Sequence, residues 1–187
     1  MKSGVELKFC GEMEVEQKMS EEKNELSASE QTCNNNESIS YRFSGTYYPK
    51  IDDKGRFFVP AKFREFIDKD GICYITRGFD GCLWMYCKPE WDIVSDHLDK
   101  TLSDMRANER KIKRHFLGNS KECETDKQGR ILIPPDLRDY AKIKDEITVV
   151  GMGNKIEIWS TALHNSYEDE EDISLEEIAE GLEDLRL

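Results

Sequence analysis

Thirteen residues of this chain return later in the same chain, and that repetition limits the fold more than any other feature. Asp52-Asp53-Lys54-Gly55-Arg56-Phe57-Phe58-Val59-Pro60-Ala61-Lys62-Phe63-Arg64 comes back as Asp126-Lys127-Gln128-Gly129-Arg130-Ile131-Leu132-Ile133-Pro134-Pro135-Asp136-Leu137-Arg138, with five identities and four further positions apolar in both copies. A chain of 187 residues can bury one sizeable core or two small ones. Two copies of one motif therefore make either two similar units or one core that both complete.

Each copy sits in a longer unit of the same order. The units begin at Phe43-Ser44-Gly45 and Phe116-Leu117-Gly118 and close at Leu83-Trp84-Met85-Tyr86 and Ile156-Glu157-Ile158-Trp159, so each spans 44 residues. Within each, the pattern predicts an entering strand, a tight turn at Gly55 or Gly129, a short apolar strand, and a brief helix opened by Pro60 or Pro134. Two more strands follow, over 72–77 and 82–86 in the first unit and over 146–151 and 155–159 in the second. The strands after the glycines are apolar at successive positions, which predicts cover on both faces and one closed, barrel-like core completed by the two units. The fold class is mainly β with flanking helices.

Five segments result: an acidic extension 1–42, a first unit 43–86, a helical linker 87–115, a second unit 116–159 and an acidic tail 160–187. The extension is rich in Glu, Asn, Ser and Gln and is expected to be disordered. In the linker, Trp91, Val94, Leu98 and Leu102 recur at helical spacing after Pro89, and a second helix is expected from about Arg106 to Phe116. Near the end, Ser174-Leu175-Glu176-Glu177 reads as a capping box. It leads into an apolar face of Leu175, Ile178, Leu182 and Leu185.

The net charge of −12 misleads until it is divided. Residues 1–40 carry four Lys and Arg against nine Asp and Glu, and 165–187 carry one against ten, whereas 41–164 carry 22 against 20. The acidity sits in the ends, so the usual objection to nucleic acid, the lack of a basic footprint, applies to the tails more than to the folded middle. Cys10, Cys33, Cys73, Cys82, Cys87 and Cys123 form no CxxC pair and, with His97, His115 and His164 scattered, offer no metal-ligand spacing. No cofactor or metal is expected. No signal peptide or transmembrane run is evident, and the cysteines read as reduced thiols of a cytoplasmic protein. Phosphate-loop, GxSxG and HExxH motifs are absent, and no catalytic residue or small-molecule substrate can be nominated.

The doubled Asp-x-x-Gly-Arg turn carries the candidate site. Gly55 and Gly129 allow a positive φ, and Asp52 and Asp126 can accept hydrogen bonds from turn N–H groups. Arg56 and Arg130 then project where the apolar run begins. There they can meet a phosphate or a guanine edge, a contact worth about 1–3 kcal/mol of base discrimination. Alternatively, they fold back on Asp52 and Asp126 as structural ion pairs. Lys54 suits a phosphate and its counterpart Gln128 an adenine edge, with Lys127 beside it; simple solvation is the alternative for these. Arg64 and Arg138 are expected to cap or ion-pair at helix ends. The basic run Arg106, Arg110, Lys111, Lys113 and Arg114 is either near DNA backbone or a solvated face. Trp84, Trp91 and Trp159 suit a core.

Taken together, Phe43-x-Gly45, Ile51-Asp52-x-Lys54-Gly55-Arg56, Pro60-Ala61-Lys62-Phe63-Arg64, Thr76-Arg77-Gly78-Phe79-Asp80-Gly81-Cys82-Leu83, Pro89-Glu90-Trp91, Glu122-Cys123-Glu124-x-Asp126-Lys127-Gln128-Gly129-Arg130-Ile131-Leu132-Ile133-Pro134 and Ile156-Glu157-Ile158-Trp159 resemble the bacterial MraZ family. The resemblance runs from about Phe43 onward and does not reach 1–42. It implies tandem AbrB/SpoVT-like swapped-hairpin units in a pseudo-dimeric core and a ring-shaped homo-oligomer. It also implies a nucleoid-associated DNA-binding transcriptional regulator. Such a protein would bind direct repeats in double-stranded promoter DNA upstream of its own division and cell-wall gene cluster, as a repressor. The family's Asp-x-x-x-Arg motif falls on Asp52/Arg56 and Asp126/Arg130, which favours DNA contact for both arginines; Gln128 in place of Lys54 makes the second copy different.

Ring assembly would answer the acidity objection, because linked weak contacts gain on the order of 10²–10⁴-fold in avidity. The expected partners are therefore promoter DNA and further copies of the chain, with no membrane. A competing expectation, from the acidic tail helix, is an oligomeric protein-interaction scaffold.

Overall fold

The computed structural model describes residues 43–67 and 71–168. They all fall within one compact unit of the chain. The expected disorder of the extension and the capped tail helix fall outside the described residues.

Each unit builds the same series. In the first, β1 (Phe43–Tyr47) leads to the Asp52–Gly55 turn, β2 (Arg56–Phe58), α1 (Ala61–Ile67), β3 (Ile72–Arg77) and β4 (Leu83–Cys87). Helices α2 (Lys88–Thr101) and α3 (Ala107–Phe116) intervene, and a 3₁₀ turn at Leu117–Asn119 follows them. The second unit supplies β5 (Lys121–Glu124), β6 (Arg130–Leu132), α4 (Pro135–Tyr140), β7 (Ile147–Gly153) and β8 (Ile156–Ser160), before α5 (Thr161–Glu168). Pro60 and Pro134 stand one residue ahead of their helices rather than at the first helical position. Their carbonyls accept the first helical N–H bonds, from Phe63 and Arg64 and from Leu137 and Arg138.

The two units interleave. The main sheet is antiparallel throughout, in the order β1-β7-β8-β4-β3-β5, so each unit's first strand lies against a later strand of the other unit. At the middle, β4 and β8 pair antiparallel with Trp84 opposite Glu157. A separate two-stranded ribbon pairs β2 with β6, Phe57 opposite Ile131. The core draws on both units, with Phe57, Phe63, Ile75, Leu83, Ile131, Leu137, Val149, Ile156 and Ile158 all fully buried. Phe63 receives Phe43 and Tyr47 edge-on, at 5.2 and 5.0 Å between ring centres.

The closed barrel is not formed. β1 and β5 remain edges of the six-stranded sheet, and the ribbon is a sheet of its own. The ribbon is also covered on one face only: Phe57 and Ile131 are wholly buried, whereas Phe58 and Leu132 are 54% and 46% exposed. Successive apolar residues here do not mean two buried faces, because adjacent strand residues point to opposite sides.

The linker is fastened to this frame at its two ends. Trp91 of α2 stacks on Tyr74 at 5.5 Å. At the end of α3, Thr76 Oγ1 donates to the Phe116 carbonyl at 2.6 Å, and Asn119 Nδ2 donates to the Arg114 and His115 carbonyls. Trp91 and Trp159 are buried, and Trp84 is half-buried beneath the Lys155 ammonium, 3.6 Å from its ring centre.

Candidate nucleic-acid interface

The two turns are built alike, bond for bond. Asp52 Oδ1 accepts the N–H groups of Lys54 and Arg56 at 3.0 and 2.8 Å. Asp126 Oδ1 accepts those of Gln128 and Arg130 at 2.9 and 3.0 Å. The N–H of each glycine closes the turn on the aspartate carbonyl at 2.8 Å, with φ of 84° at Gly55 and 76° at Gly129. This left-handed backbone strains any residue with a Cβ.

Both arginines fold back on their aspartates. Arg56 Nε and Nη2 lie 2.8 and 2.7 Å from Asp52 Oδ2, and Arg130 Nε and Nη2 repeat those distances to Asp126 Oδ2. The arginine hydrogen bonds hold the Asp126 carboxyl down at about 2 and lower that of Asp52. The pairs are nevertheless at the surface, with arginine side chains 30% and 20% exposed, and neither Nη1 has a hydrogen-bond partner among the described residues.

On the ribbon, alternation places Arg56, Phe58, Arg130 and Leu132 on its outer face, Arg56 opposite Leu132 and Phe58 opposite Arg130. The Arg130 guanidinium also lies 5.8 Å from the centre of the Phe58 ring. Lys54, Lys127 and Gln128 are exposed at the turn tips.

Arg64 and Arg138 depart from expectation. Neither forms an ion pair among the described residues; each reaches across to the other unit's turn. The Arg138 guanidinium fills the space beside Gly55, and that of Arg64 the space beside Gly129. Backbone bonds run the same way, from Val59 N–H to the Gly129 carbonyl at 3.2 Å and from Ile133 N–H to the Gly55 carbonyl at 2.9 Å. The identity of positions 64 and 138 in the two copies was the available signal for this role.

Two of the five basic side chains in the linker's run, Arg106 and Lys113, are ion-paired among the described residues. Lys113 bridges Asp99 and Asp104 at 3.0 Å each, Arg106 holds Glu109, and Arg110 donates to the Asp104 carbonyl. Among the described residues no group of three metal-ligating side chains assembles, and no helix is long and apolar enough to cross a membrane.

Fold and site together define a class: a tandem-repeat α/β protein whose two units jointly display one arginine-bearing antiparallel ribbon. The family described as the antitoxin-like MraZ protein matches residues 42–115 and again 116–185. The chain belongs to the MraZ family. It is 43% identical over 143 residues to a Transcriptional regulator MraZ from Thermoanaerobacter sp., covering 76% of this chain and 98% of that protein. It is 42% identical over 145 residues to one from Pelotomaculum thermopropionicum, covering 78% and 98%. One from Heliobacterium modesticaldum is 41% identical over 145 residues, covering 78% and 99%. A solution structure of PHS018 from Pyrococcus horikoshii, at 17% identity and a TM-score of 0.27 over 62% of this chain and 87% of that one, is too distant to inform the fold.

Proposed function

We propose that this chain is a DNA-binding transcription regulator that seats the outer face of its β2–β6 ribbon in the major groove. The observation that carries the reading is the outer face itself. Arg56 and Arg130 stand diagonally on one antiparallel ribbon, each held in a fixed rotamer by its own aspartate. The major groove admits a two-stranded ribbon, and an arginine is the commonest reader of guanine there. Phe58 and Leu132, apolar and exposed between the arginines, suit thymine methyl groups. Lys54, Lys127 and Gln128 flank them, and Asp52, Gly55, Asp126 and Gly129 shape the turns. The relatives' names, all Transcriptional regulator MraZ, agree with this class.

The finer reading is a nucleoid-associated repressor, ring-shaped by self-assembly, on direct repeats upstream of its own division gene cluster. Units 43–86 and 116–159 act as the two halves of a pseudo-dimeric reading head. Helices of 87–115 connect them.

The test is anisotropy titration of a duplex carrying the gene's upstream region, with a scrambled duplex as control. The wild type should prefer the upstream duplex. Arg56→Ala and Arg130→Ala should each weaken that preference by about 10-fold or more, the loss of one bidentate contact, while remaining folded. Undiminished preference in both variants would overturn the reading. Sedimentation of the wild type checks the ring, and a monomer at binding concentrations would remove it.

A further inference from the structure

Each turn carries two guanidinium groups, and only one of them is neutralised. Arg56 and Arg130 have Asp52 and Asp126. Arg64 and Arg138 have no acidic partner among the described residues, although the Nε of each is buried and without a hydrogen-bond acceptor. Both residues are half-buried, and the Nη1 atom of each packs against the glycine of the opposite turn. A half-buried cation with a dry, uncompensated Nε and no acidic partner is a site that an anion can complete.

The placement is the same at both turns. Arg138 lies against Gly55, beside Arg56; Arg64 lies against Gly129, beside Arg130. A purely structural lid over a glycine needs no charge, and an aliphatic side chain would cover the peptide without stranding a buried donor. The unbalanced charge at the ribbon therefore resides in Arg64 and Arg138, together with the exposed lysines. We propose that Arg64 and Arg138 are phosphate-binding residues, each seating a backbone phosphodiester at the turn of the opposite unit, while the aspartate-held Arg56 and Arg130 face bases. This rests on the reading of the ribbon as a nucleic-acid interface. It divides that interface into a sequence-blind clamp and a sequence reader, and makes each turn's clamp the property of the other repeat.

The division is measurable because phosphate contacts set the salt dependence of binding whereas base contacts set its sequence dependence. Anisotropy titrations of the full chain would be run from 50 to 300 mM KCl on the upstream duplex and on a scrambled duplex of equal length. R64Q/R138Q should weaken both duplexes by the same factor and flatten the slope of log K against log salt by about 1.8 per chain, or about 0.9 for each phosphate lost. R64K/R138K, which keeps the charge, should hold the wild-type slope. Arg56→Gln should leave the slope nearly intact and lower only the preference for the upstream duplex.

A wild-type slope in R64Q/R138Q, with or without a lowered melting temperature, would assign these arginines to the fold alone and overturn the proposal. Should that variant fail to fold, the single variants decide: Arg64→Gln and Arg138→Gln should each flatten the slope by about 0.9, and a wild-type slope in both folded single variants overturns it. Failure of the wild type to bind either duplex would instead remove the interface reading beneath it.

Discussion

The guanidinium of Arg138 occupies the space that a side chain on Gly55 would need. Its Cζ lies 2.6 Å from where a Cβ would stand, and Arg64 Nη1 lies 2.9 Å from the corresponding point on Gly129. Each glycine is thus required twice, by its own positive φ and by an arginine from the other repeat. A β-carbon at either position must strain the backbone and displace a guanidinium whose Nε is buried. Gly55→Ala and Gly129→Ala should each destabilise the protein by about 1–3 kcal/mol, the usual cost of a residue held in a sparsely populated backbone region. Chemical denaturation with a preserved m-value checks this; a change below about 0.5 kcal/mol would contradict it.

The aspartate–arginine pairs should be insensitive to pH across the neutral range. The carboxyl of Asp126 titrates at about 2 in the folded chain against 3.8 ordinarily, with its arginine's hydrogen bonds as the main cause. A depressed carboxyl contributes stability that is present above its unfolded value and is lost as pH falls through the folded one. The second turn should therefore hold from pH 8 down to about pH 4 and loosen between about 4 and 2. Carboxyl chemical shifts followed by NMR should place the Asp126 midpoint near 2. A midpoint at the ordinary value would show that the pair is not formed in solution.

Charge removal at the same aspartate has a different consequence. In Asp126→Asn the amide oxygen can still accept the turn N–H groups, but Arg130 loses its counter-charge and its fixed rotamer. On the proposed function, affinity for scrambled DNA should rise several-fold while preference for the upstream duplex falls. Paired titrations on the two duplexes check this, and an unchanged ratio would argue against pre-orientation by the carboxylate.

The cross-repeat core should answer strongly to truncation. Phe57 and Ile131 face each other at the middle of the ribbon and are both wholly buried. Phe57→Ala should cost about 3–5 kcal/mol and Ile131→Ala about 2–5 kcal/mol. Because the two residues touch the same core, the double variant should deviate from additivity by about 0.5 kcal/mol or more. Denaturation of the three variants gives the cycle, and simple additivity would mean that the repeats are energetically independent.

Thiol chemistry offers an independent check of packing. Burial pushes the Cys82 and Cys87 thiols up to about 12, Cys123 to about 11, and Cys73 well above its ordinary value. All four are buried and free. Of the six cysteines in the chain, at most two should react with a thiol reagent at pH 8 without denaturant, and all six with it. Rapid labelling of Cys73 in the folded protein would show that the sheet opens there.

How much of this was legible beforehand follows from the range over which each interaction acts. The Asp-x-x-Gly-Arg turn spans five residues, and the hydrogen bonds its aspartate accepts come from groups inside those five. Its form could be reasoned from Gly55 and Asp52 alone, and the alternative of an ion pair with Arg56 was visible as one of two outcomes. Strands β3, β4, β7 and β8 and helices α2 and α3 followed from apolar spacing and proline position in the same way. The ribbon's single buried face was not legible: Phe58 and Leu132 are as apolar as their buried neighbours, and only the pairing of β2 with β6 turns them outward.

The amino-acid order by itself determined that this protein has two like units, each with a glycine turn that presents an arginine, because those features arise from contacts between residues close in the chain. Tertiary structure alone decided which unit each strand joins, that Arg64 guards Gly129 and Arg138 guards Gly55, and that the sheet stays open at β1 and β5. Two repeats of like pattern have like local preferences, so pairing within a repeat and pairing across repeats look equal from the sequence. Only the shared burial of both units in one core tells them apart.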